Sequence, residues 1–404
     1  MATYYINNDF DLANTSPSQG DVLLFRAGTR FSAAAVPSNF LSASGLSVGY
    51  FGSGDRPVIT GGVERNDWVY DGVNNVYSLP AYSSNVMGNV TEDFVPMKHI
   101  PWNINLTTTA LQMTNGTEIG WAGSMTFDPV ARIVYIRPSI GLLKDHRYIV
   151  SEVQYGIRSV TSNSDLRIEG LQVEQVAFHG IHLFNKKTVN IKDCFFRVIG
   201  GGKPGSLYLG NGIELSSGVV GAVTSDCVFH DIFDSCVTTQ LYESTPARIT
   251  DHTWNNLVFE RYGMAGVEVS CQTATNQLIN HVNIETIRSK YQASGWSGDR
   301  NAGVIVVLTQ GGTSRVTHTF ATDVVGDVQR RLYLSYQTGG FNGIQNSVGT
   351  NTFGQGVRSD QGGHALTQKD IKRNVVDNLA PVSPQNSWVD VQADIRNNLK
   401  GLLF

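Results

Sequence analysis

Between residues 169 and 287 one short phrase returns five times: EGLQVEQV (Glu169–Val176), KDCFFRVI (Lys192–Ile199), SDCVFHDI (Ser225–Ile232), NNLVFERY (Asn255–Tyr262) and NHVNIETI (Asn280–Ile287). Each opens on a turn residue and continues with apolar residues in alternation. Anchored on Leu171, Cys194, Cys227, Leu257 and Val282, the steps are 23, 33, 30 and 25 residues. A second phrase follows each: HGIHL (His179–Leu183), NGIEL (Asn211–Leu215), DSCVTTQL (Asp234–Leu241), AGVEV (Ala265–Val269) and AGVIVV (Ala302–Val307). Repeats of this length mark arrays in which one unit cannot bury its apolar face alone. Here each unit holds two or three short strands and no helix, and its length varies through polar, Gly-rich inserts. That pattern predicts an all-β parallel β-helix, with alternate residues turned into a shared core and inserts swelling from the corners. A propeller would need four antiparallel strands per blade and a longer period.

The coil phrases resemble the right-handed parallel β-helix superfamily, known in pectate-lyase-like polysaccharide lyases, several glycoside hydrolases and bacteriophage tailspikes. GDVLLFRAGTRF (Gly20–Phe31) and GSGDRPVITGG (Gly52–Gly62) also resemble the first coils of such proteins. On this reading residues 1–62 are N-terminal coils, and 63–160 are a β-rich excursion packed on the helix. Residues 161–350 are the body with groove-forming inserts, and 351–404 are a C-terminal cap. In the last segment NSWVDVQADIRNNLKGLLF (Asn386–Phe404) predicts a short amphipathic helix, capped by Ser387 and stopped at Gly401.

The charge balance excludes some partners. A net charge of -4 with 16% charged residues argues against nucleic acid or an anionic membrane. No apolar run reaches membrane-spanning length. Four cysteines without a CxxC pair give zinc or thioredoxin-type chemistry little support. Cys194 and Cys227 hold equivalent places in adjacent coils and read as an inward stack of small side chains. The opening MATYYINNDFD has neither a basic region nor an apolar signal core. The expectation is a mature form, or a protein released by lysis, working in a virion tail or outside the cell. No phosphate loop, GxSxG elbow or HExxH motif is present.

Aligned on their Gly-apolar pairs, the second phrases place His182, Glu214, Thr238, Glu268 and Ile305 in one column. Glu214 and Glu268 are then two coils apart, roughly 10 Å along the stack. Carboxyl groups at about 6.5–9.5 Å suit inverting glycoside hydrolysis, one as general acid and one activating water. Asp234 and Asp231 lie on the intervening coil, so Glu214, Asp234, Glu268 and Asp231 are the candidate catalytic acids. The inserts Arg288–Asn301 and Gly200–Asn211 supply Tyr291, Trp296, Arg288, Arg300 and Tyr208 as candidate sugar-binding residues, with Arg261 nearby. The reaction expected is hydrolysis of a bacterial surface or extracellular polysaccharide without a cofactor or metal.

β-Elimination from a uronate polymer is the rival chemistry. It needs a neutraliser for the carboxylate, calcium or Arg/Asn, and a base. VEVSCQTATNQ (Val267–Gln277) is similar to a segment of chondroitinase-B-like lyases but lacks their lysine. The paired Asp and Gly-His-Gly of polygalacturonases are also missing. A non-catalytic carbohydrate-binding adhesin would keep the aromatic inserts without needing converging acids. The resemblance to tailspikes implies a homotrimer.

Overall fold

The computed structural model of the 404-residue chain describes residues 1–360 apart from 38–39, 42, 73–75, 81–86, 100–121, 129–130, 160–164, 203–208, 242–247, 272–276, 293–302, 311–314, 327–330, 339–340, 346–348 and 352–354. It is nearly all β. Among the described residues the only α-helix is Asp9–Ala13, and no helix is long and apolar enough to cross a membrane. Outside residues 62–151 every ladder between described strands is parallel.

The strands form three stacks. Thr3–Ile6, Val22–Arg26, Leu46–Phe51, Leu166–Glu169, Val189–Lys192 and Val223–Ser225 succeed one another in the first. Arg30–Ser32, Val58–Thr60, Gln172–Val176, Phe195–Ile199 and Val228–Ile232 make the second. The long strands Arg248–Tyr262 and Leu278–Gln292 continue both. Tyr155–Ser159, His179–Phe184, Ile213–Ser216, Ser235–Leu241, Ala265–Cys271, Gly303–Gln310, Arg331–Thr338 and Gln355–Asp360 build the third. From Leu166 to Cys271 the chain visits first, second and third stack in that order on each repeat.

The repeated phrase has a backbone cause. Between first and second stacks the chain steps through a left-handed residue at Gly170, Asp193, Asp226 and Asn256, with φ of +71°, +52°, +58° and +49°. Gly, Asp and Asn are the residues that enter this region at least cost. Asn256 also donates from Nδ2 to Asp226 Oδ1 on the repeat below, at 2.7 Å. One alignment needs correcting. Leu257 pairs with Ile287, not Val282, so the last step is 30 residues. There the left-handed residue is Thr286 (φ +51°), and the Asn280-His281 dipeptide, which resembles the turn in sequence, lies within the Leu278–Gln292 strand.

Glycine in the second phrase serves the core. The column Gly156, Gly180, Gly212, Cys236, Gly266 and Val304 runs through the third stack. A Cβ on Gly212 would lie 2.5 Å from the Cys236 carbonyl oxygen and 2.6 Å from the Phe229 ring. Phe196 stacks on Phe229 with centroids 4.7 Å apart, and Phe229 meets Phe259 edge-on at 5.6 Å. The glycines make room for this file of rings. Gly212→Ala should therefore overpack the core and lower stability by about 1–3 kcal/mol. A urea midpoint unchanged from wild type would contradict that packing.

One buried histidine is locked neutral. Trp254 Nε1–H donates to Thr239 Oγ1 at 3.2 Å, and Thr239 Oγ1 lies 2.9 Å from His252 Nδ1. His252 Nε2 lies 3.1 Å from the Val219 carbonyl. A neutral ring with its proton on Nε2 satisfies every group in this chain. Burial drives the His252 pKa down to about 4, against the Val219 carbonyl and Asp251, which favour the charged ring. Its stabilisation is thus complete above the ordinary histidine pKa and declines as pH falls through it towards 4. At pH 4 the loss amounts to about 3 kcal/mol. Urea midpoints should fall from pH 6.5 to 5, and His252→Phe should flatten that slope whatever it does to the baseline.

The excursion holds two smaller, mostly antiparallel sheets between residues 62 and 151. It lies against the bend that leads into the third stack. Gln175 Nε2 donates to Thr91 Oγ1 at 3.1 Å, Asn89 Nδ2 to the Gly200 carbonyl, and Arg197 to the Phe94 carbonyl at 2.7 Å. The helix expected within Asn386–Phe404 lies outside the described residues.

Candidate active site

On the third stack the register aligns Arg158, His182, Glu214, Thr238, Glu268 and Val306 in one row. His182, Glu214, Thr238 and Glu268 are the four that the sequence aligns; Val306 stands in place of Ile305, and Arg158 adds a sixth member. The cause is a one-residue offset. Gly303, not Ala302, pairs with Ala265, and Val304 takes the inward place held by Gly266. A second row, Tyr155, His179, Asn211, Ser235 and Ala265, runs beside it. Because the flanking residues Ile181, Leu183, Ile213 and Leu215 pack into the core, the residues between them belong to the other face.

Glu214 is the best-furnished group on this face. It is 4% exposed. His179 Nε2 lies 3.1 Å from its Oε2, His182 Nε2 lies 3.1 Å from its Oε1, and Asn211 Nδ2 donates to Oε2 at 3.0 Å. The Asn211 backbone N–H in turn donates to His179 Nδ1 at 3.2 Å, so the His179 proton sits on Nε2 and points at the carboxylate. Burial pushes His179 down to about 4, opposed by the Glu214 charge, and the ring is neutral at pH 7. Burial by itself would raise Glu214. The imidazoles and the Asn211 amide outweigh it and hold the carboxyl at about 2. Glu214 is therefore an ionised acceptor at any physiological pH.

The same atoms raise the question of a metal. The ligand atoms of His179, His182 and Glu214 all lie within 4.8 Å of one another. A cation on His179 Nε2 would need the ring proton on Nδ1, yet Nδ1 already accepts from a backbone N–H. That donor set fits a hydrogen-bonded carboxylate and not a metal cage.

From Glu214 the network crosses the stack. Asn211 Oδ1 accepts from the Ser235 backbone N–H at 3.2 Å, which fixes the amide, and Ser235 Oγ donates to Glu268 Oε2 at 2.9 Å. Glu268 is 3% exposed. Thr238 stands between the two glutamates. Tyr155 closes the other end, its ring stacked 5.6 Å from His182 and tilted 5.8 Å from His179.

The remaining acids part ways. Asp234 is buried at the head of the Ser235–Leu241 strand, its N–H bonded to the Gly210 carbonyl. Asp231 and Arg261 occupy equivalent left-handed positions on successive repeats, with φ of +58° and +53°. They form a buried bidentate pair, Nε to Oδ1 at 2.6 Å and Nη2 to Oδ2 at 2.8 Å. His230 Nδ1 lies 2.8 Å from the same carboxylate. Burial would raise Asp231, but Arg261 and then His230 hold it far below the carboxylate range. Arg261 is thus bound to Asp231 rather than presented to a ligand. Arg288, exposed, sits on the second stack opposite Val258. Tyr291 lies within the Leu278–Gln292 strand, while Tyr208, Trp296 and Arg300 lie outside the described residues.

Sequence reading overlooked His179, Asn211 and Ser235. Their signal was the polar residue standing just before the inward position on three successive repeats. Nothing in a linear phrase shows that this position borders the glutamate column.

No family model matches the chain, and no curated protein does. Solved structures with similar backbones include a glycoside hydrolase (10% identity, TM-score 0.43, covering 91% of this chain and 89% of that one). An alginate lyase from Paenibacillus sp. str. FPU-7 is 12% identical, with TM-score 0.30 over 89% of this chain and 99% of its own. A family 28 exopolygalacturonase from Yersinia enterocolitica is 10% identical, with TM-score 0.33 over 93% and 75%. Likeness at this distance assigns neither reaction nor substrate.

Proposed function

We propose that this chain is a right-handed parallel β-helix that hydrolyses glycosidic bonds in a bacterial capsular, O-antigen or extracellular polysaccharide. One observation carries the reading: Glu214 and Glu268 stand in one row two strands apart, joined through Asn211 and Ser235. Two strand spacings amount to roughly 10 Å between the two backbones, close to the separation of about 6.5–9.5 Å at which carboxyl groups admit a water between them. Glu214, ionised under three N–H donors, is the base that activates this water. Glu268, held by Ser235 Oγ, takes the role of the acid that gives a proton to the departing glycosidic oxygen. Asn211 and His179 position Glu214 without touching the reacting atoms. Delivery as a trimeric tailspike belongs to the proposal and is tested by the mass of the native assembly in solution.

The reaction class is read by incubating the protein with purified bacterial polysaccharides. New reducing ends without the ultraviolet absorbance of an unsaturated uronate mean hydrolysis. Reducing ends accompanied by that absorbance mean elimination. Tight binding with no new ends would leave a non-catalytic adhesin.

A further inference from the structure

The Glu214 row ends at an exposed cation. Arg158 pairs with His182, and His182 with Glu214, so the guanidinium-bearing residue is two strands from the proposed base, roughly 10 Å along the stack. Its Cζ lies 4.5 Å above the Tyr155 ring and 6.0 Å from the Phe184 ring. It makes no ion pair among the described residues and is exposed. Beside it opens a hollow of about 380 Å³, lined among others by Val36, Pro37, Glu152, Gln154 and Tyr155 as well as Arg158 itself. The Glu152 carboxylate is already paired, accepting from Arg65 Nη1 at 2.5 Å.

Together these features resemble a binding position more than a surface charge. The cation–π contact with Tyr155 restrains the guanidinium, which limits the rotamer freedom an exposed arginine would otherwise lose on binding. Among the described residues no carboxylate is paired with this guanidinium, and Glu152 beside it is held by Arg65. The hollow has the volume of a small-ligand site and mixes apolar walls with the Gln154 amide and the Arg65-paired Glu152. Charge gives the direction of the argument. Farther along the row the face carries the Glu214 and Glu268 carboxyls, and the ionised Glu214 repels an anionic chain. A neutral polymer has no use for a guanidinium here, whereas an acidic one needs a cation to approach those carboxyls.

We propose that Arg158 and Tyr155 form a subsite for a carboxylated sugar, a uronate or a pyruvylated residue, lying to one side of the cleaved bond. The polymer class is then acidic polysaccharide, with the carboxylate held bidentately by Arg158 and the sugar seated in the hollow. This rests on the polysaccharide reading above, but its test does not require cleavage.

The test is calorimetric titration with hexasaccharides of alginate, polygalacturonate and hyaluronan, each paired with its carboxyl-reduced counterpart. At least one native hexasaccharide should bind ten times or more tightly than its reduced form. Arg158→Gln should erase that ratio, and Arg26→Gln, at an exposed position on the first stack, should preserve it. Equal binding of native and reduced forms, a ratio that survives in Arg158→Gln, or no binding of any of the six overturns the subsite. Carboxylate-dependent binding with no hydrolysis of any polymer would leave the subsite standing and remove the hydrolase. Hydrolysis of neutral polymers alone would do the reverse.

Discussion

Glu214→Gln should lower kcat on the cleaved polysaccharide by about 10²- to 10⁴-fold, the usual worth of a positioned general base. The fold should survive the change. The new amide oxygen can take the His179 Nε2–H, whose tautomer Asn211 fixes, and the amide NH2 can donate to His182 Nε2 once that ring carries its proton on Nδ1. KM should move little, because the lost function is exerted on water and not on the sugar. Glu268→Gln should behave differently. If Glu268 protonates the leaving oxygen, its loss is severe on the polymer and mild on aryl glycosides, whose leaving groups need no proton. Glu214→Gln should be equally impaired on both. Identical leaving-group dependence in the two variants would dissolve the division of roles between acid and base.

Arg261→Leu should cost about 3–5 kcal/mol of stability, because it strands the Asp231 carboxylate inside the protein. The double variant Asp231→Asn with Arg261→Leu should be more stable than Arg261→Leu alone, since no charge then remains unpaired. The sign of the pH response should differ too. In the wild type Asp231 has a depressed pKa, so its stabilisation is complete above the ordinary carboxylate pKa and disappears as pH falls below it. Without Arg261, burial would raise that pKa, and mild acid should restore stability as the carboxyl takes up its proton. Losses that add to within about 0.5 kcal/mol across the cycle would mean that the pair is not coupled.

The two rules that governed the phrases were local, and so they were legible. Left-handed backbone selects Gly, Asp or Asn, and ring packing selects Gly, at the same place in each repeat. Both leave a visible mark, which is why the row from His182 to Glu268 could be aligned. The alignment failed where another residue took over the task, Thr286 at the turn and Val304 on the inward column. The candidate acids were separated by something a linear sequence does not encode. Asp231 and Glu214 are both acidic residues at strand positions, but Asp231 meets an arginine 30 residues on, while Glu214 meets histidines 35 and 32 residues back. Whether a carboxylate faces a guanidinium or an imidazole depends on which repeats stack, and inserts of variable length hide that register.

The central claim is that Glu214 and Glu268 act across a water, and the stereochemistry of the first product tests it most directly. Proton NMR during the first minutes of digestion reports the anomeric configuration at the new reducing end, before mutarotation mixes it. The wild type should release the inverted anomer and Glu214→Gln none. A retained anomer, an unsaturated sugar, or undiminished product from Glu214→Gln would contradict it.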